Sequence, residues 1–245
     1  MTRSILAAVA AVLLSACSSL VPAPDVPIAG NDPDAAWARH LETHVDPEGR
    51  IDFAGMAEDT SDLDLYVAWV AEPRDPEPTG EEESAYLINA YNALAMYGVL
   101  NSGLLPRSKV RFFYFCKYEE NGRRISLYDY ENDVIRRRGE PRIHFALNCM
   151  VRSCPRLPAV PFVAETLDAQ LEAAAREFFN DPKHVVLEPD AKTVRFSAIL
   201  DWYEKDFLEV APTLIAYATR YREEPNPEDW RGRFLKYDWT LNQSP

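Results

Sequence analysis

From Ala85 to Leu100 the chain reads "AYLINAYNALAMYGVL", with apolar side chains on nearly every helical face. A helix patterned this way is buried all round. Thr79 stands where it can cap this helix, Glu81 to Glu83 lie at the positive end of its dipole, and Asn101-Ser102-Gly103 ends it. A narrower stripe runs from Val163 to Phe179, where Leu167, Leu171, Ala174, Ala175 and Phe178 share one side. Helical spacing also marks Asp34 to Val45, Leu63 to Ala71, "YDYENDVIRRRG", "SAILDWYEKDFLE", "APTLIAYATRYR" and "NPEDWRGRFL". Strand signals come in pairs. "VRFFYFCKYEENGRRISL" reads as a hairpin turning at Asn121-Gly122, and "HVVLEPDAKTVRFS" as another turning at Pro189-Asp190. "RIHFALNC" is mostly apolar and predicts a third, central strand. The pattern predicts a single α+β domain: an antiparallel or mixed sheet, a buried central helix and several packed helices.

The N-terminal side has a different character. Arg3 precedes an uncharged apolar run, Ile5 to Leu14, too short for an ordinary membrane span. Leu14-Ser15-Ala16-Cys17 then fits a bacterial lipobox, with small residues beside the cut and the lipid carried on the Cys17 sulfur. An ordinary secretory signal cut near Ala16 is the alternative. The expected division is a signal peptide over 1–16, lipidated Cys17 with a Pro-rich tether over 17–31, and one domain over 32–245. Ser18, rather than Asp, after the cysteine favours the outer membrane, with the domain facing the periplasm.

The net charge of −13 argues against nucleic acid as a partner. The expected partners are the membrane, through the lipid, and an unidentified envelope substrate or protein. Arg136 to Arg138 read as cations closing a helix. His40 and His44 share a helix face at a known metal spacing, but no Glu follows His40, so a solvated face is the better reading. Asp46, Glu48 and Asp52 hint at calcium, yet the full loop pattern is missing and Pro47 with Gly49 explains a turn. No metal or cofactor is expected.

Several blocks stand in a recognisable order: "AYLINAYNAL", "SLYDYENDVIR", "PRIHFALNCMVRSCP", "AQLEAAAREFFND", "VRFSAILDWYEKDF" and "YDWTLN". In this the chain resembles the family called domain of unknown function 547. The resemblance implies a fold unit and frequent export in bacteria, and no reaction.

The candidate chemistry centres on "HFALNCMVRSCP", His144 to Pro155. With lipid on Cys17, an oxidising compartment holds Cys116, Cys149 and Cys154, so at most one disulfide forms. "MVRS" can turn the chain to bring Cys149 to Cys154, which makes that pair the expected disulfide. The competing role for Cys149 is nucleophile, with a histidine as base, in thiol-dependent hydrolysis or acyl transfer. On a straight strand His144 and Cys149 lie about 16–17 Å apart on opposite faces, so they do not pair unless the chain bulges or turns at Asn148. Glu131 could accept the His144 ring proton, or be an exposed helix carboxylate. Asn89 and Asn92 share a face of the buried helix and need polar partners, either a structural network or, with Asn148, a binding-pocket floor. The two functional readings are a cysteine-dependent enzyme of the envelope and a non-catalytic binding or assembly factor closed by the Cys149–Cys154 bond.

Overall fold

The computed structural model describes residues 19–74, 79–227 and 229–245. The expected signal peptide and Cys17 lie outside the described residues. In chain order come β1 (Ser19–Leu20), α1 (Pro33–His44), α2 (Phe53–Glu58), α3 (Ser61–Ala71) and α4 (Gly80–Asn101). Then follow β2 (Cys116–Glu120), β3 (Arg123–Ile125), α5 (Leu127–Asp129) and α6 (Leu167–Asn180). The last elements are β4 (Val185–Glu188), β5 (Thr193–Phe196), α7 (Ile199–Trp202), α8 (Glu204–Leu208), α9 (Leu214–Thr219) and β6 (Arg231–Phe234).

The architecture is α+β, with two small mixed sheets. In one, β1 runs parallel to β2 and β2 antiparallel to β3; in the other, β4 runs antiparallel to β5 and β5 parallel to β6. Asn121 and Gly122 turn the first hairpin with φ of 48° and 70°, the left-handed conformation a two-residue turn needs. Local chemistry starts the helices. Asp32 accepts from the Ala35 N–H at 3.0 Å ahead of Pro33 in the first turn of α1, and Asp52 accepts from the Gly55 N–H at 2.9 Å to start α2.

The all-round apolar helix is α4, which sits in the larger core cluster with Trp37, Tyr66, Phe112 and Tyr118. Gly98 lets it approach β2: a Cβ there would collide with the Tyr118 hydroxyl. The smaller cluster gathers Phe145, Phe178, Phe179, Phe196, Phe207 and Tyr217 around α6, β5, α8 and α9. Burying each such ring contributes about 1.5–3 kcal/mol before entropy is set against it.

Four expectations are corrected. Residues Pro141–Phe145 form a 3-10 helix, not a strand, because Glu140 caps the Arg142 N–H at 2.9 Å and Pro141 supplies a helical φ. Residues 231–234, expected helical, form β6, since their N–H and C=O groups find the open edge of β5. His40 is in the core rather than on a solvated face, stacked against Trp37 at 5.8 Å. Finally, the described part of the expected tether is docked: Val21 is buried and its N–H bonds the Lys117 carbonyl at 2.9 Å.

Candidate functional site

The 3-10 turn changes what the His144–Cys149 spacing means. Alternation no longer applies, and the chain reverses just after it. Asn148 accepts from the Met150 N–H at 2.7 Å and donates to the Pro155 carbonyl at 2.8 Å, while Met150 takes a left-handed φ of 65°. His144, Cys149 and Cys154 therefore line one cavity of about 490 Å³. Its walls are rich in aromatic rings, with Tyr91, Phe113, Trp202, Tyr203, Tyr237 and Trp239 among them, and Lys109, Glu131 and Arg136 are its charged residues.

His144 is buried, and its Nε2 stands 2.8 Å from Asp206 Oδ2. Asp206 also accepts two bonds from Arg136, each at 2.7 Å. Burial alone would raise the Asp206 pKa, but the bonds from His144 and Arg136 outweigh it and hold this carboxyl well below the usual range. An ionised Asp206 accepts from the Nε2–H, which leaves Nδ1 as the ring nitrogen turned away from Asp206. That Nδ1 is buried without a hydrogen-bond partner; Glu131 Oε1 is 3.9 Å away. The ring stacks on Tyr203 at 4.0 Å, which fixes its plane. Glu131 itself accepts from the Tyr91 hydroxyl at 3.3 Å. The group that orients His144 is thus Asp206, not Glu131, and Arg136, which stands in the last turn of a helical segment as expected, also holds Asp206.

The structure brings Cys149 and Cys154 together as free thiols, with their sulfurs 2.7 Å apart. The Cys149 N–H reaches Cys154 Sγ at 3.1 Å, and the Tyr237 hydroxyl donates to the same sulfur at 3.5 Å. Burial opposes charge on Cys154, but these donors and the Cys149 thiol outweigh it, so its pKa falls. The Cys149 thiol is pushed well up, first as the donor to Cys154 and then by burial. The pair thus holds its first negative charge on Cys154 and its remaining proton on Cys149.

Tyr237 arrives on a C-terminal strap that is bonded along the cysteine loop. The Ser153 N–H meets the Asp238 carbonyl at 3.3 Å, Arg152 meets Thr240 at 2.9 Å, and Asn242 donates to Met150 at 3.0 Å. Neither Asp206 nor Tyr237 stands out in the sequence: one looks like a solvated helix acid and the other like a core aromatic. Both fall within blocks of the family resemblance, "VRFSAILDWYEKDF" and "YDWTLN", the only signal that could have marked them.

The three asparagines lie elsewhere. Asn89 bonds the Phe162 N–H and C=O at 3.0 and 2.7 Å and accepts from Trp37 Nε1 at 3.2 Å. Asn92 accepts from the Asn148 N–H at 2.8 Å and donates to the Ala146 carbonyl at 3.0 Å. They tie α4 to the segments that carry the site and are not part of the cavity wall. Among the described residues, no group of three or more His, Cys, Asp or Glu side chains could hold a metal ion.

A buried thiol pair and a carboxylate-held imidazole around one aromatic cavity define a site suited to proton transfer and nucleophilic attack. Residues 77–179 match the family model described as "Protein of unknown function, DUF547", which supports the resemblance over that stretch. It carries Asn89, Asn92, Glu131, His144, Cys149 and Cys154, whereas Asp206 and Tyr237 lie beyond it. No curated protein and no solved structure matches the chain.

Proposed function

We propose that the cavity performs thiol-dependent acyl chemistry, hydrolysis or acyl transfer. The observation that carries this is the opening of the Cys149–Cys154 pair and of His144, held from behind by Asp206, into one cavity. Cys149 attacks the acyl carbon; its proton passes to the Cys154 thiolate as the carbon–sulfur bond forms. Collapse of the tetrahedral adduct breaks the bond to the leaving amine or alcohol, which takes that proton back from Cys154. Water or an acceptor hydroxyl or amine then attacks the thioester and gives its proton to His144 Nδ1. Expulsion of the Cys149 thiolate, which recovers that proton, restores the site. With lipid on Cys17, the domain works on the periplasmic face of the outer membrane and its substrates are acyl compounds of the envelope.

The test is alkylation by iodoacetamide, followed by peptide mass. One label per chain is expected, on Cys149, because Cys154 is buried and only Cys149 is partly exposed; it should be slowed about tenfold or more in Cys154→Ser, which lacks the base. Equal rates in the two proteins overturn the assignment of Cys154.

A second reading rests on the contact between the two sulfurs. Exchange with an external disulfide, which takes up the two hydrogens and leaves as two thiols, joins Cys149 to Cys154, and the cavity then serves a non-catalytic binding or assembly factor. Intact mass without reductant decides: a mass lower by two hydrogens in functional protein favours this reading and sinks Cys149 as nucleophile.

A further inference from the structure

One face of the molecule departs from its overall charge. The chain carries −13, yet no Asp or Glu occurs between Ser84 and Tyr118, while Arg107, Lys109 and Arg111 all do; Lys117 is there too but is paired with Asp129 at 2.7 Å. Arg107, Lys109 and Arg111 are exposed. Interleaved with them are exposed apolar side chains: Val110 at 56%, Tyr114 at 43% and Phe115 at 42%. Tyr114 stacks on exposed Tyr128 at 4.1 Å, which widens the patch. Cations alternating with large apolar groups suit a membrane interface, where rings and alkyl groups enter the acyl boundary and charges meet anionic headgroups.

The N-terminal side of the chain arrives at this same face. Ser19 pairs with Cys116 and half-exposed Leu20 with Lys117. Further bonds hold the next residues down: the Tyr97 hydroxyl donates to the Pro22 carbonyl at 2.9 Å, and the Ala23 N–H to Glu119 at 3.3 Å. Cys17 is two residues before Ser19, so an acyl group on its sulfur starts within about 7 Å of chain from β1, beside the first residue of β2. A lipid placed there cannot hold the domain away on a long tether. It brings the basic, aromatic face against the bilayer.

We propose that this face, centred on Lys109–Phe115 and Leu20, is the surface by which the domain lies on an anionic bilayer. The proposal rests on lipid attachment at Cys17. It has a consequence for the site, which rests on the thiol chemistry proposed above. Lys109, Phe113, Tyr114 and Tyr128 also line the cavity, so a substrate can enter from the membrane side. The substrate class that fits is an acyl group carried by a lipid or presented at the lipid surface.

The experiment uses the full chain, produced with its lipid and reconstituted in vesicles of phosphatidylethanolamine and phosphatidylglycerol. Mass spectrometry first reads the modification on Cys17, and hydrogen exchange then compares wild type with a Val110→Ser/Phe115→Ser variant. Both positions are exposed, so α6 should exchange alike in the two proteins. Residues 107–116 should exchange ~5-fold or more slowly in the wild type than in the variant, although both remain anchored. Vesicles of phosphatidylcholine alone should reduce that protection. Lipidated protein whose 107–116 segment exchanges equally in both forms overturns the docking face and leaves the lipid reading standing. Unmodified Cys17 with no retention on vesicles overturns both. Alkylation of Cys149 is read on the same samples, so failure of the thiol chemistry shows separately.

Discussion

Two buried polar clusters sit side by side in this protein and are built on opposite terms. Around Asn89, Asn92 and Asn148, every side-chain oxygen and nitrogen has a partner, mostly backbone. Around His144, Cys149 and Cys154, Nδ1 lacks a hydrogen bond and two free thiols lie 2.7 Å apart. A satisfied network holds geometry and has nothing left to give a ligand. An unsatisfied one costs stability and keeps capacity for proton transfer. The proposed chemistry therefore belongs to the second cluster, and the first explains why it stays in place.

Acid should produce the largest effect, because two further histidines are buried without full pairing. Burial lowers His40 to about 4, helped by His44, and lowers His184 to about 3, helped by Lys183. Both stay neutral in the folded protein while the unfolded chain takes up protons below about 6.5. Stability is thus present above that pH and is lost as pH falls toward the folded values, by about 3 kcal/mol per histidine at pH 4. Urea melts at pH 7 and pH 4 check this; His184→Leu should flatten the dependence, and an unchanged slope in that variant refutes it.

Next in size is the asparagine network. Asn92→Ala leaves the buried Asn148 N–H and Ala146 C=O without partners and should cost roughly 2–4 kcal/mol in chemical denaturation. Cys149→Ser should cost about 1 kcal/mol or less, since it exchanges one weak donor for another. A reversed order erases the contrast between the clusters.

Asp206→Asn tests the other side of the comparison. It should lower turnover of an activated ester ~100-fold or more while Cys149 still alkylates, because it removes the group that fixes the His144 tautomer. Equal losses of turnover and folding would assign Asp206 to structure alone. The smallest effect is expected for Tyr237→Phe: alkylation slowed about threefold, with stability changed by about 1 kcal/mol or less, as one long bond to sulfur is lost.

The elements whose signals are local were legible. The glutamates announced α4, with Thr79 at its N-cap position but making no side-chain cap bond, and Asn121-Gly122 announced a hairpin, although Arg111–Phe115, expected in its first strand, is helical. So was the closeness of Cys149 and Cys154, which depends on only four intervening residues, although the disulfide expected of them is not formed and both stand as free thiols. The Pro141–Phe145 segment was misread because a mostly apolar run has no period to separate strand from helical turn, and the cap on Glu140 is seen only in place. Asp206 lies 62 residues from the histidine it holds, and Tyr237 lies 83 from Cys154; spacing along the chain carries no trace of either contact. The same limit explains β6, whose partner strand ends 35 residues earlier, at Phe196 opposite Phe234.

The strap that carries Tyr237 also sets an order of events. Asn242 reaches back to the Gly49 carbonyl, 193 positions away, while its neighbours lie along residues 150–153. Contacts of that span close late, after nearer ones have formed, and they are among the first to open. The thiol pair should therefore acquire its reactive arrangement at the end of refolding and lose it ahead of the core. Pulse alkylation of Cys149 would then time the last step of assembly, and the chemistry would be withheld from every partly folded form of the chain.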